Sequence, residues 1–461
     1  MNNQSKKMEL LGSASIPKAL LSMGIPTMIG MLVNAFYNLV DAYFVGGLGE
    51  SQMGAISVVY PLGQVVVGLG LLFGNGAASY ISRLLGRGDK ENADKVASTA
   101  LYSSVSVGAV IIIISMVFLH PILKLLGATD SILPFAATYA SVYIVSCIFN
   151  VFNVTMNNIV TSEGAAKTTM CALLTGAVLN IALDPLFIYV FDLGVAGAAI
   201  ATAISQVVST FVYLTYIFRK KSVFHFRVKD CTYTKETMSE IFKIGIPTLV
   251  FQILTSVSIS LINNAAGDYG DSAIAGMGVV TRLISMGSLS VFGFIKGFQP
   301  IAGYSYGAKK FDRLREAIKT SILWSTVFCV IFGVILALFP AAIVSRFTKG
   351  DAEMIRIGAA SLRANGISIM LFGFYTVYSS LFLALGKGRE GFILGACRQG
   401  ICFIPVILLL PIVWGLNGIM YAQPIADMLS AVITVFMAIP LHKKLNEMQK
   451  QTAAISTNDN N

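Results

Sequence analysis

The chain has 461 residues, 55% of them apolar and only 12% charged, with a formal net charge of +10. Soluble domains carry about 25% charged residues, so the composition excludes a soluble globular protein and requires an integral membrane one. The basic surplus reads as loops facing an anionic inner leaflet, and the few aromatics among those residues exclude a nucleic-acid surface.

Residues 1–16 form a polar cytoplasmic segment. No cleavable signal follows, because the first apolar run is too long for a signal core. Runs of about 20 or more apolar residues are long enough to span a bilayer as helices. Twelve are marked, at 17–45, 53–82, 96–119, 134–160, 168–190, 195–218, 240–266, 276–305, 318–340, 354–385, 391–411 and 416–440. A basic connector at 219–239 divides them into an N-lobe, 17–218, and a C-lobe, 240–440. The remainder, 441–461, is polar and expected to be a disordered cytoplasmic tail.

With the N-terminus in the cytoplasm, one set of loops holds Arg83, Arg87, Lys90, Lys95, Lys167, the 219–243 cluster, Lys309, Lys310, Arg313, Arg315, Lys319, Lys387 and Arg389. The opposite set offers only Lys124, Arg346 and Lys349, among Glu50, Asp192, Asp268 and Asp271. Basic residues stay inside, so both termini are placed in the cytoplasm.

The halves repeat. Gly24-Ile25-Pro26-Thr27 recurs 221 residues later as Gly245-Ile246-Pro247-Thr248. At the same offset Gly49-Glu50-Ser51 matches Gly270-Asp271-Ser272, Gly76 matches Gly297, Gly86 matches Gly307, and Gly194 and Gly197 match Gly415 and Gly418. Each repeat holds an even number of spans, so the two share one orientation. The fold class is therefore an all-α integral membrane protein: two six-helix bundles related by a pseudo-two-fold axis along the membrane normal. Such a design places a substrate site between the bundles.

Taken in order, the spans concentrate polar residues in the N-lobe. The first carries Asn34, Asn38 and Asp41 at helical spacing, with Tyr37 beside them; the fourth carries Asn150, Asn153 and Asn157. The fifth carries Asn180 and Asp184, and the sixth Thr202 and Gln206. An aspartate at the centre of a membrane helix costs roughly 2.5–3.5 kcal/mol on insertion scales, which makes it a functional candidate. Pro185 follows Asp184 and removes the helical partner of the Ile181 carbonyl, loosening the helix there. By rise per residue, Asp41, Asp184 and Thr202 all fall within about 10 Å of the outer surface, so they can meet in one layer. Two carboxylates in one low-dielectric pocket do not both ionise cheaply. A proton, or a hard cation such as sodium, would discharge them.

The C-lobe lacks this equipment, since Asp41, Asp184 and Thr202 become Ile262, Pro405 and Gln423 at the repeat offset. Its charged residues in or near spans are Arg282, Lys296, Arg398 and Asp427. Lys296 lies deep and reads as functional. Arg282 faces either the central cavity or water, and Arg398 reads as a cytoplasmic-end residue that snorkels. The six cysteines form no CxxC and read as packing residues; the three histidines fall in expected loops. Gly386-Lys-Gly388-Arg-Glu-Gly391 fits G-x-G-x-x-G but joins two spans and follows no strand, so it is not a dinucleotide site. With no HExxH, G-x-S-x-G or P-loop, the reading is not an enzyme, and no cofactor is expected.

In order and spacing, five stretches resemble the multidrug and toxic compound extrusion (MATE) family over about residues 10–440: the repeated Gly-Ile-Pro-Thr, Tyr37-Asn-Leu-Val-Asp41, Glu163-Gly164, Asn180-Ile-Ala-Leu-Asp184-Pro185-Leu and Leu193-Gly-Val-Ala-Gly-Ala-Ala-Ile-Ala-Thr202. The likeness is to the DinF-like and MepA-like bacterial branch. It implies a twelve-helix antiporter with a V-shaped cleft, exporting amphipathic, mostly cationic compounds in exchange for H+ or Na+. Coupling would fall on Asp41 and Asp184, with neighbouring cation-site positions at Asn180, Ala198 (through its carbonyl) and Thr202. Substrate contacts would map onto Tyr37, Tyr139, Asn153 and Asn157, beside the Asn34 and Gln206 of the polar stripes. The first helix would bend at Pro26. Spans 240–266 and 354–385 have no interior carboxylate, unlike the NorM-like branch. The expected setting is the bacterial inner membrane, as a monomer among lipids, with no metal beyond a possible Na+. A flippase for a lipid-linked saccharide, or an exporter of an endogenous metabolite, is the alternative.

Overall fold

The computed structural model describes residues 3–347 and 351–458. Lys349, one of the few basic residues of the sparse loops, lies outside them, as do residues 459–461 of the tail. Regular structure among the described residues is entirely helical.

Among the described residues, twelve helices are long and apolar enough to cross a bilayer: Ile16–Gly46, Gly54–Gly86, Lys90–Val117, Leu133–Ser162, Ala166–Val190, Gly194–Phe218, Lys235–Gly267, Ser272–Gly307, Phe311–Leu338, Ala352–Ala384, Gly388–Trp414 and Leu416–Thr452. They are called spans one to twelve below. Several begin earlier than the apolar runs, because polar first turns are capped rather than loose. The Asp89 carboxylate accepts from the Asn92 N–H ahead of span three, and the Thr234 hydroxyl from Thr237 ahead of span seven. Asp351 does the same for Met354 ahead of span ten. Each cap satisfies an N–H that the helix itself leaves open.

Three segments outside the spans are ordered where the sequence suggested looseness. The N-terminal segment holds a helix, Asn3–Gly12. Its Lys7 ammonium meets the buried Glu163 at 3.1 Å and donates to the Lys221 carbonyl at 2.6 Å. From the C-lobe, Lys310 donates to the Gly12 carbonyl at 2.8 Å and Arg313 to that of Leu11 at 3.1 Å. The helix thus straps one lobe to the other. The connector after span six folds onto the N-lobe, burying Val223, Phe224 and Phe226. The expected disordered tail is instead a continuation of the last helix, which runs Leu416–Asn458. Buried Leu441 and Leu445 dock it, and His442 Nε2 lies 2.8 Å from the Tyr378 hydroxyl, so this histidine is on a helix and not in a loop.

The pseudo-two-fold is visible in exchanged contacts. A Cβ on Gly86 would overlap the Tyr304 carbonyl, and one on Gly307 would overlap the Arg83 carbonyl. Residues 86 and 307, and 83 and 304, are each 221 apart. Only glycine permits backbones this close. Other bonds across the lobes run Thr27 Oγ1 to the Gly293 carbonyl (2.6 Å), Asn75 Nδ2 to Thr248 Oγ1 (2.9 Å) and Gln252 Nε2 to Gln64 Oε1 (2.6 Å). Arg83 pairs with Glu240 at 2.6 Å. The first two bonds and the Arg83–Glu240 pair lie in the halves of their helices that lead to the basic loops, and the Gln252–Gln64 bond lies near the middle. Further toward the opposite face Tyr60 and Ile259 are exposed, and the lobes part around a cavity of about 560 Å³ that both residues line.

Candidate functional site

The fifth span supplies the centre of the N-lobe site. Its α-helix ends at Pro185, and Leu186–Val190 continue as a π-helical turn in which the Phe191 N–H reaches back to the Leu186 carbonyl at 2.9 Å. Proline leaves the preceding turn short of a donor, and the wider turn absorbs the irregularity. Asp184 stands at that junction, fully buried. Its Oδ1 accepts from Asn180 Nδ2 at 3.3 Å, and the same amide lies 3.4 Å from Thr202 Oγ1 on span six. Asp41 of span one lies within electrostatic range of Asp184, and Tyr37 and Tyr139 lie within range of Asp41.

Among the described residues, three buried oxygens in this group have no hydrogen-bond partner: Asp41 Oδ1, Asp184 Oδ2 and Asn180 Oδ1. A buried acceptor left unmade costs about 1–3 kcal/mol, more when charged. Unpartnered acceptors of this kind suit a proton or a hard, oxygen-seeking cation. Ala198 is buried in the same apolar cluster as Val45, Tyr139 and Ile188, which packs around this layer.

A second polar cluster lies toward the basic face. Asn153 Nδ2 donates to the Gln206 carbonyl (2.9 Å) and Oε1 (2.8 Å), and its Oδ1 accepts from Thr210 at 2.9 Å. Asn157 Nδ2 lies 3.3 Å from the Tyr213 hydroxyl. Asn157 Oδ1 accepts from Lys296, which arrives from span eight of the other lobe. Sequence reasoning singled out the asparagines and the lysine but not their pairing, nor Thr210 and Tyr213.

The MatE family model matches residues 26–186 and again 247–409, one match in each lobe. The chain belongs to the MatE family. It is 32% identical over 429 residues to the multidrug export protein MepA of Staphylococcus aureus, covering 93% of this chain and 94% of that protein. The MepA of Staphylococcus saprophyticus is likewise 32% identical over 433 residues, with 94% and 95% covered. A multidrug resistance MATE transporter in an outward-facing conformation superposes with a TM-score of 0.90 at 27% identity, covering 96% of this chain and 99% of that one. A transporter from Pyrococcus furiosus, described as having a binding pocket of reversed polarity, gives 0.88 at 26% identity with 96% and 99% covered. This MATE-family chain is a multi-pass membrane transporter and not an enzyme.

Other expected residues of this MATE transporter fall apart from the two clusters. Asn34 and Arg282 are exposed, and neither lines the cavity between the lobes. Pro26 is buried, and its neighbour Thr27 also donates to the Met23 carbonyl at 2.8 Å. Arg398 does not snorkel. It is 7% exposed, and its Nε donates to Asp427 at 3.1 Å, because a partner carboxylate on span twelve lies nearer than water. Of the cysteines, Cys147, Cys329, Cys397 and Cys402 are buried as packing residues, whereas Cys171 is exposed.

Proposed function

We propose that the chain is a secondary-active multidrug exporter that moves amphipathic compounds, cationic ones included, against an inward H+ or Na+ gradient. The observation that carries this reading is the Asp41–Asp184 pair, half-buried Asp41 and fully buried Asp184, each with a buried unpartnered oxygen, beside Asn180 and Thr202. An ion or proton that fills the group changes its charge, and hence the relative stability of the two lobe arrangements. The name of MepA, multidrug export protein, supports the substrate class. In this reading the face carrying the basic loops, and both termini, lie on the cytoplasmic side of a bacterial inner membrane, which the bias of basic residues to one face supports. With the lobes locked on that face and parted on the other, the arrangement corresponds to the outward-facing state of an alternating-access cycle. The chain acts as a monomer in this reading.

The test is flux of a fluorescent lipophilic cation in proteoliposomes under an imposed proton gradient, then a sodium gradient. Wild type should concentrate the dye under one of them, and Asp184→Asn under neither. Equal flux by the variant would remove the coupling assignment. A flippase remains the second reading, because Lys296 and Arg398 line the cavity. Dye flux under neither gradient in wild type would favour it.

A further inference from the structure

The cavity between the lobes is unlike the acidic N-lobe group. Most of its wall comes from the C-lobe, with Phe251, Phe292 and Phe372 as aromatic surfaces. Two cationic side chains, Lys296 and Arg398, line it, and no carboxylate does among the described residues. At about 560 Å³ it falls within the 300–1,000 Å³ typical of drug-sized ligand sites.

Arg398 is held from behind. Its Nε donates to Asp427 Oδ1, which also accepts from Gln423 Nε2 at 2.9 Å and the Tyr375 hydroxyl at 3.2 Å; Asp427 Oδ2 accepts from Ser368 at 3.1 Å. The guanidinium carbon sits 4.7 Å from the centre of the Phe372 ring. Carboxylate and ring thus fix the fork, the carboxylate through Nε. On the same cavity lining, three residues carry buried hydroxyls with no hydrogen-bond partner among the described residues: Ser288, Thr376 and Ser380. Buried polar groups are normally satisfied, so idle donors on the lining that also presents a pre-oriented arginine suit a polar ligand there.

We infer that this C-lobe cavity is a binding site for the carboxylate of an amphipathic, zwitterionic or anionic solute, with Arg398 as the anion-recognising residue and the phenylalanines taking the solute's planar apolar body. The inference rests on the export reading above but concerns a different place in the molecule. The N-lobe acids take the coupling ion, and the C-lobe arginine discriminates among solutes. A planar fork matches a carboxylate in two parallel hydrogen bonds, which a lysine in its place does not reproduce.

The test uses one fluorophore in two forms. Rhodamine 110 carries a free carboxylate, and rhodamine 123 is its methyl ester. Binding of each to the purified full chain is followed by fluorescence anisotropy. Wild type should hold the acid about tenfold tighter than the ester, the scale of one charge-assisted pair. Arg398→Gln combined with Asp427→Asn removes both charges together and should bring that ratio to about one. Arg398→Lys, which keeps a cation beside Asp427, should lower it several-fold. If the charge variants fail to elute as folded protein, Thr376→Val and Ser380→Ala decide, and a ratio unchanged by both overturns the site. Equal binding of acid and ester by wild type overturns it outright. Gradient-driven flux of rhodamine 123 is measured in parallel. Flux without acid preference sinks the carboxylate site alone, and acid preference without flux sinks the export reading alone.

Discussion

Asp184 and Asp427 are equally hidden, at 0% and 2% exposure, yet the two lobes treat them in opposite ways. Asp427 receives four hydrogen bonds, one of them from a buried arginine. Asp184 receives one, from an amide at 3.3 Å, and its other oxygen has no partner among the described residues. The first is a finished ion pair. The second is an unfinished one, facing another carboxyl group across the bundle. Burial alone therefore does not distinguish the two acids; the state of their oxygens does, and it is what the proposed coupling role of Asp184 rests on.

The comparison is broken most severely by neutralising its N-lobe member. Asp184→Asn keeps the shape and the Asn180 contact but removes the exchangeable charge. Gradient-driven flux in proteoliposomes should fall at least about a hundredfold, as expected when a group that works only in the coupled step is lost. Asp41→Asn should be severely impaired in the same assay, and flux at half the wild-type rate by either variant would show that the pair does not couple transport.

The C-lobe member should fail differently. Asp427→Ala strands Arg398 as an uncompensated buried charge, a change that costs about 3–5 kcal/mol. Thermal unfolding of the purified protein should show the largest loss of stability among these variants. Replacing the pair together, Arg398→Met with Asp427→Leu, should recover most of it, because a buried ion pair is seldom worth more than well-packed apolar residues of its size. If the double replacement is as unstable as Asp427→Ala, the surrounding Ser368, Tyr375 and Gln423 depend on the carboxylate more than on the arginine.

The strap beneath both lobes gives a smaller effect. Lys7→Met removes the partner of Glu163, which also accepts from Ser222 at 2.9 Å and the Val223 N–H at 2.6 Å. The three donors left to it, the Tyr216 hydroxyl included, limit the loss to about 2 kcal/mol, short of the full penalty for a stranded charge. Proteolysis should release the Asn3–Gly12 helix in the variant before the spans are cut, and an unchanged digestion pattern would show that Arg313 and Lys310 hold it unaided.

What was legible in the sequence follows the range of the interactions. The spans and the two-fold came from hydropathy and a constant 221-residue offset, both carried along the chain. The four polar stripes came from helical spacing, which is local. Their pairings, such as Lys296 with Asn157 at a separation of 139 residues, depend on how helices rotate against each other, and no single-chain pattern records that. A lone arginine on an apolar helix is equally a snorkelling residue or half of an ion pair, and only the position of Asp427 chooses. Helix ends were set too short because capped polar turns look like loops to a hydropathy window. The tail, however, did carry a signal: Leu441, Leu445 and Met448 repeat at helical spacing and pack against the C-lobe core.

The smallest expected effect lies at Pro26, where span one touches the other lobe. Its ring leaves the Ser22 carbonyl without the amide donor that a regular helix would give. One residue on, Thr27 bonds both to its own helix and to the Gly293 carbonyl across the interface. A bend in span one at this point would carry Asp41, four turns further along the same helix, relative to Asp184 on span five. Pro26→Ala restores the missing hydrogen bond, worth about 1 kcal/mol, and so stiffens the straight helix. If bending limits the cycle, turnover should slow about fivefold. Solute affinity should hold, because Pro26 lies outside both polar clusters and the cavity wall. Stopped-flow flux together with equilibrium dye binding separates the two quantities. Unchanged turnover would make Pro26 a packing residue, and the ion-pair contrast between the lobes would then have to act on a first helix that moves as a rigid rod.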